Sequence, residues 1–226
     1  MNSLPANNPE WLIKKIIKMG GTISFYDYMN FILNDPINGY YGSGKAKLGS
    51  EGDFVTSSCL SDDFAFLVGK QIEDWLFQLK SNLLYDQKLS VIELGAGDGS
   101  FMSGLIKYLL RNSKNSSKEL SFVIIEPNLG MIEKQKKKLK EFLNLGIEIL
   151  WKVLEEIDEN NINGIVLANE VLDALPVERI KFSKGKLFRQ AVSIDKQSCK
   201  LFFNEMPMTR KLAKSIESAQ IKLGIT

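Results

Sequence analysis

A run of apolar, strand-forming residues, Val91-Ile92-Glu93-Leu94, stops at three alternating glycines, Gly95, Gly97 and Gly99, and passes at Ser100 into an amphipathic segment. Glycine alone takes φ > 0 without steric penalty, so this spacing is that of a tight strand-to-helix turn. An α/β protein uses such a turn to bring its backbone and a helix N-terminus against a ligand, often one that carries adenosine. For the glycines taken alone, a strained turn with no ligand is an equal reading.

The residues downstream shift that balance. Leu120-Ser121-Phe122-Val123-Ile124-Ile125 is a continuous apolar run of the kind found in buried parallel strands, and it ends in Glu126-Pro127. A carboxylate at the carboxyl end of the second strand can accept both hydroxyls of a ribose, although an acidic residue there can also simply complement the dipole of the next helix. Strands are expected at 90–94, 121–126, 147–151 and 164–168, with helices near 100–112 and 128–144. That alternation is an α/β, Rossmann-like, doubly wound parallel sheet, whose ligands bind outside the carboxyl ends of the strands. The last of these strands ends at Asn169-Glu170-Val171-Leu172-Asp173-Ala174-Leu175-Pro176-Val177. Glu170 and Asp173, three apart, share a face if the segment forms a helical turn, and such a pair could hold a guanidinium. A capped helix start followed by a proline stop is the plainer reading.

Upstream, helices are expected over Pro9–Met19 and from Ser24 to about Asn34. A loop from Asp35 to Ser61 follows, with glycines at 39, 42, 44, 49 and 52, and loops this long are usually functional or disordered. Ser61-Asp62-Asp63 caps a further helix to about Leu79, with Phe64, Leu67, Val68, Ile72, Trp75 and Leu79 as its expected buried face. Three segments result: a helical N-terminal cap with a covering loop over 1–88, a sheet core over 89–177, and a β-rich insertion with a terminal helix over 178–226.

The composition narrows the chemistry. At 226 residues, 44% hydrophobic and 25% charged, the chain has the balance of an ordinary globular protein. No apolar run reaches membrane-spanning length, so no membrane insertion is expected. Two distant cysteines and no evident leader point to the cytoplasm. Histidine is absent, which removes Ser-His-Asp and Cys-His hydrolysis, histidine-bound metals and any imidazole base. The net charge is +2, and the basic run from Lys134 to Lys140 reads as a solvated helix face, so no nucleic-acid partner is expected.

A dinucleotide fingerprint would place its third glycine at position 100, which is Ser100 here. The tighter G-x-G-x-G turn, with Glu93 two residues before it, resembles motif I of class I S-adenosylmethionine-dependent methyltransferases. Asp35-Pro36 with Gly39-Tyr40-Tyr41, then Gly52-Asp53-Phe54-Val55-Thr56-Ser57, then the glycine turn, then Asn169-Glu170 with Asp173-Ala174-Leu175-Pro176-Val177, stand in one order. From about residue 22 to 182 the chain resembles the MidA family of methyltransferases, whose mitochondrial members are arginine methyltransferases needed for assembly of respiratory complex I.

The resemblance implies S-adenosyl-L-methionine as cofactor and a protein substrate, a subunit of a complex I-type enzyme. It implies cofactor-binding roles for Gly52, Asp53, Thr56, Ser57, Glu93, Gly95, Gly97, Gly99 and Glu126. It places Asn169, Glu170 and Asp173 on the acceptor side as catalytic residues, with Trp151, Val153 and Leu154 beside the adenine, although a core tryptophan is the plainer reading of Trp151. Departures stand at Ser58-Cys59, where the family has Pro-Glu, and at Asp98, where it has arginine. Family members also continue beyond the length of this chain. The runs at 178–182, 187–194 and 199–203 read as an insertion, which leaves the 164–168 strand as an edge open to dimerisation or to pairing with another chain. A small-molecule methyltransferase and an inactive cofactor-binding or assembly fragment are the alternatives.

Overall fold

A computed structural model describes residues 8–49, 52–53, 55, 57, 61–81, 88–112, 120–158, 162–183 and 186–223. In chain order the elements are α1 (Glu10–Lys18), β1 (Thr22–Ser24), α2 (Phe25–Asn34), α3 (Asp62–Lys80), β2 (Leu89–Leu94), α4 (Ser100–Asn112), β3 (Leu120–Ile125), α5 (Leu129–Lys138), α6 (Lys140–Asn144), β4 (Ile149–Lys152), β5 (Gly164–Ala168), β6 (Ile180–Ser183), β7 (Lys186–Ile194), β8 (Leu201–Met206) and α7 (Arg210–Leu223). They fall into two compact units, Leu33–Ala174 and Met1–Ile32 together with Leu175–Thr226.

The first unit holds a parallel sheet in the order β4-β3-β2-β5, the α/β class expected from the strand-helix alternation. Alternate strand residues point to opposite faces. On one face Val91, Phe122, Ile124, Ile149 and Ile165 join residues of α3, α4 and α6 in the main core. On the other, Ile92, Val123 and Ile125 pack with Leu94, Ile157 and Ile162. There Val166 on the edge strand β5 is 52% exposed. In register Leu94 lies beside both Ile125 and Ala168. The three strands therefore end level, and Gly95, Glu126 and Asn169 follow at one rim.

In the second unit β7 is central. It pairs antiparallel with β6 and β1 along one edge and with β8 along the other. Leu12, Ile13 and Ile16 of α1 pack on Ile23, Val192, Ile194 and Leu201. The Arg179 guanidinium lies 4.9 Å from the Phe25 ring centre and 5.6 Å from that of Phe203, a cation–π arrangement. The segments 1–88, 89–177 and 178–226 follow chain order, whereas these units do not. Strand β1, three residues with no period of their own, has its backbone partners at 191–193, so the chain's beginning shares a sheet with its last third.

Two local expectations are corrected. The helix over 128–144 is interrupted at Leu139 (φ −94°, ψ 5°), which is wholly buried between α5 and α6. On α3 the buried residues are Ala65, Gly69, Ile72 and Leu76, while Leu67 is 75% exposed. Small residues turn the helix this way, because they let α3 approach α4 closely. A Cβ at Gly69 would lie 2.8 Å from the Tyr108 ring, and one at Gly104 would lie 2.6 Å from the Ala65 Cβ. Apolar periodicity cannot register glycine and alanine as the contact face. Gly104→Leu is therefore expected to destabilise the chain by about 1–3 kcal/mol through overpacking. Leu67→Ser should stay within about 0.5 kcal/mol. Denaturant unfolding of both variants checks the pair, and the reverse ranking would refute this packing.

Candidate functional site

The β2–α4 turn is left-handed at every second residue: Gly95, Gly97 and Gly99 have φ of 61°, 54° and 87°. The Gly95 N–H donates to the Ile125 carbonyl at 3.0 Å, which fixes the turn to the end of β3. Side chains have little room there. A Cβ at Gly95 would lie 3.2 Å from Val171 Cγ2, and one at Gly97 would lie 3.0 Å from Leu48 Cδ1. Asp98 opens α4 by accepting the Ser100 N–H at 3.0 Å through Oδ1, and its Oδ2 lies 3.4 Å from Lys138 Nζ. The acidic residue at this point of the turn thus has a local partner of opposite charge and a capping role.

Glu93, on β2, is 4% exposed, and its Oε2 has no hydrogen-bond partner among the described residues. Burial, and then the charge of Asp98, pushes its carboxyl from the ordinary 4.5 up to about 8. An orphaned buried oxygen costs free energy until something donates to it.

Glu126, just past β3, is buried but satisfied. Its Oε1 accepts the Asn128 N–H at 3.0 Å and its Oε2 accepts from Gln135 Nε2 at 3.2 Å. Burial raises its carboxyl, opposed by those hydrogen bonds. Gln135, on α5, is 0% exposed and also donates through Nε2 to the Gly97 carbonyl at 2.9 Å. Its Oε1 accepts the Trp151 indole N–H at 2.9 Å. Trp151 is half-buried against the core, so its indole is a structural member of this group as well as a neighbour of the rim. Gln135 was not among the residues singled out from the sequence. It stands inside the Lys134–Lys140 run, and its neighbours Lys134, Lys136 and Lys138 behave as a polar helix face: Lys134 donates to the Ala46 carbonyl, and Lys136 pairs with Glu133 at 3.6 Å.

The loop after α2 is pinned to this rim. Gly130 N–H donates to the Gly42 carbonyl at 3.3 Å, and a Cβ at Gly130 would lie 2.2 Å from Gly44 N, so loop and helix touch backbone to backbone. Asn128 Nδ2 donates to Asn34 Oδ1 at 3.2 Å. Gly52 and Asp53 form a tight return: Gly52 N–H donates to the Gly49 carbonyl, Asp53 N–H donates to the Lys47 carbonyl, and the Tyr40 hydroxyl donates to Asp53 Oδ2 at 2.7 Å. Ser57 is exposed, and Thr56 lies outside the described residues. Burial raises the Tyr41 phenol, and the charges of Asp173 and Glu126 add to that rise.

Past β5, Asn169 is half-buried, and Glu170 and Asp173 are exposed. Glu170 has φ 51°, and a single 3-10 turn, Leu172–Ala174, begins only after it. Glu170 and Asp173 therefore do not share a helix face as the spacing suggested, because the backbone reverses at Glu170 before any helical turn starts. Val171, between them, is the side chain that approaches Gly95. The rim thus gathers Glu93, the three glycines, Glu126 and the Asn169–Asp173 segment, with the 35–53 loop reaching Gly97 through Leu48.

Comparison with known proteins places the chain among methyltransferases. A family described as "Putative S-adenosyl-L-methionine-dependent methyltransferase" matches residues 67–224. A mitochondrial protein arginine methyltransferase NDUFAF7 homologue of Caenorhabditis elegans is 28% identical over 189 residues, covering 75% of this chain and 42% of that protein. Human mitochondrial NDUFAF7 is 29% identical over 218 residues, covering 85% of this chain and 47% of its own length. A Burkholderia thailandensis protein solved with bound S-adenosyl-homocysteine superposes with a TM-score of 0.70 at 27% identity, over 94% of this chain and 56% of that one. The chain spans about half the length of the relatives it matches. It belongs to this family of S-adenosyl-L-methionine-dependent methyltransferases, class I in fold.

Proposed function

We propose that the chain binds S-adenosyl-L-methionine at the carboxyl ends of β2 and β3 and methylates a protein substrate at arginine, in the service of assembling a complex I-type enzyme. The observation that carries the first part is the orphaned, buried Glu93 oxygen beside a turn of three left-handed glycines, with Glu126 at the neighbouring strand end. When bound, the cofactor supplies a methyl group on a sulfonium, a leaving group already activated. The chain's own residues then have binding and orientation to do. Glu93 offers its unpartnered oxygen to the ligand ammonium. The α4 N-terminus offers the positive end of its dipole to the carboxylate, and Glu126 accepts the ribose hydroxyls. In this reading Gly52, Asp53 and Ser57 contribute to the cover over the donor, and Thr56 is assigned to the donor with them.

Asn169, Glu170 and Asp173 line the acceptor side. A guanidinium held by carboxylates keeps its charge on the nitrogens they bind, which leaves the third nitrogen the better nucleophile. The left-handed backbone at Glu170 costs about 1–2 kcal/mol for a non-glycine residue, and strain of this kind clusters at functional sites. The names of the relatives support arginine as acceptor and a mitochondrial setting for those proteins. Because the chain spans about half of their length, binding without transfer is the outcome that would favour a cofactor-binding assembly module instead.

Three measurements test the reading. Calorimetry is expected to show S-adenosyl-L-methionine binding to the chain and its loss in Gly97→Val, whose side chain meets Leu48 and carries a left-handed penalty of about 1–2 kcal/mol. No heat from the folded wild type would refute it.

Glu93 adds a proton signature. Below pH 4.5 its carboxyl is protonated in both folded and unfolded chains. Between 4.5 and about 8 the unfolded chain ionises while the folded one does not, so ligand-free stability falls as pH rises through that window. Glu93→Gln should flatten this slope. Pairing with an ammonium favours the carboxylate, so binding near neutral pH should release up to about one proton, seen by calorimetry in buffers of different ionisation enthalpy and absent in Glu93→Gln.

Glu170→Gln should spare cofactor affinity and suppress labelled methyl transfer to the protein acceptor. Equal loss of both would assign Glu170 to the scaffold.

A further inference from the structure

Gln135 is a neutral amide with no exposure, surrounded by lysines in sequence, and it makes three hydrogen bonds to three different parts of the rim. The indole N–H of Trp151 can only donate, so the Gln135 oxygen must face it, and that fixes the amide's orientation. Both Nε2 hydrogens are then committed, one to the Gly97 carbonyl at 2.9 Å and one to Glu126 Oε2 at 3.2 Å. The other Glu126 oxygen takes the Asn128 N–H at 3.0 Å. Each carboxylate oxygen carries two acceptor sites. The Asn128 side chain adds a third donor to this carboxylate, so among the described residues one of its four acceptor sites stays open for a hydroxyl of a vicinal diol.

We propose that Gln135 is a positioning residue that locks Glu126 to the glycine turn, so that its carboxylate keeps an acceptor site for a ribose hydroxyl, and that it thereby sets the preference for a ribonucleoside over a 2′-deoxy ligand. The inference rests on the cofactor reading above. Gln135 need not touch the ligand: it acts through Glu126 and through the Gly97 carbonyl. Its separation of 38 residues from Gly97 and 16 from Trp151 ties the first two crossover connections of the sheet into one unit.

The test measures binding of S-adenosyl-homocysteine and of its 2′-deoxyadenosine counterpart to the full chain, with near-UV circular dichroism to confirm folding. Wild type is expected to prefer the ribose ligand by about tenfold or more, the value of a hydrogen bond to a charged group. Gln135→Met, of similar volume, should weaken S-adenosyl-homocysteine binding by about tenfold and reduce the preference to about threefold or less.

Gln135→Glu keeps the acceptor for Trp151 but sets a second carboxylate against Glu126. A proton shared by the pair restores the donor at low pH and is lost as pH rises. Relative to wild type, its affinity should therefore drop by about tenfold as pH rises and the pair loses that proton. A packing role alone would move neither the ribose preference nor the pH dependence. A folded Gln135→Met with the wild-type preference overturns the inference, as does a pH-independent ratio for Gln135→Glu or unfolding of both variants. Wild type that fails to bind S-adenosyl-homocysteine at all overturns the cofactor reading itself, a result distinct from each of these.

Discussion

Strand β5 pairs with β2, not with β4, and the rest of the site depends on that choice. From β2 the chain builds outward through β3 to β4, then returns to the opposite side of β2. In doubly wound sheets a strand flanked in this way has a crevice at its carboxyl end. Because Leu94 is level with both Ile125 and Ala168, the next residues of all three strands meet there. A turn at the centre of such a crevice has strands on either side and a helix to start. Its backbone must reverse within a few residues, and the three left-handed glycines meet that demand.

The same crowding explains the electrostatics. Glu93 and Glu126 lie on adjacent strands, both withdrawn from water, and both are pushed toward the protonated form by burial. Their environments differ in one respect. Glu126 is met by a backbone N–H and the Gln135 amide, whereas Glu93 has an oxygen with no donor and the like charge of Asp98 nearby. One carboxylate is pre-organised and the other is held at a cost. A cationic ligand group that meets Glu93 relieves that cost, so part of the binding free energy is stored in the ligand-free fold.

Much of this was legible in the sequence, and the exceptions share a cause. Val91 to Gly99, Leu120 to Glu126 and Gly164 to Ala168 announce themselves through apolar runs and punctuation, and each strand lies within a residue or two of its expected place. What stayed hidden depends on contacts distant in sequence. The three residues of β1 find their partners at 191–193. Gly44 and Gly130 meet backbone to backbone, and Gln135 is buried amid lysines. Helix α3 shows the limit from the other side: hydrophobicity favoured Leu67, yet Ala65 and Gly69 form the contact because closeness, not greasiness, decides that interface. Glu170 and Asp173 were placed on one helix face by counting, and a single left-handed residue undid it.

The cradle meets the segment that the edge strand carries where Val171 lies against Gly95. The turn at Gly95–Gly99 is braced by β3 through the Ile125 carbonyl, by α5 through Gln135, and by the covering loop through Leu48, all on the interior strands or the helix-covered side. Exposed Val166 belongs instead to the outer strand and to the opposite face. Whatever covers that edge adds apolar burial to β5 and reaches the rim only through the Asn169–Asp173 segment that β5 carries. Cofactor affinity should then be a property of the β2–β3 side and acceptor geometry a property of the β5 side. On the proposed function, the two halves of a methyl transfer would fall on opposite flanks of one strand.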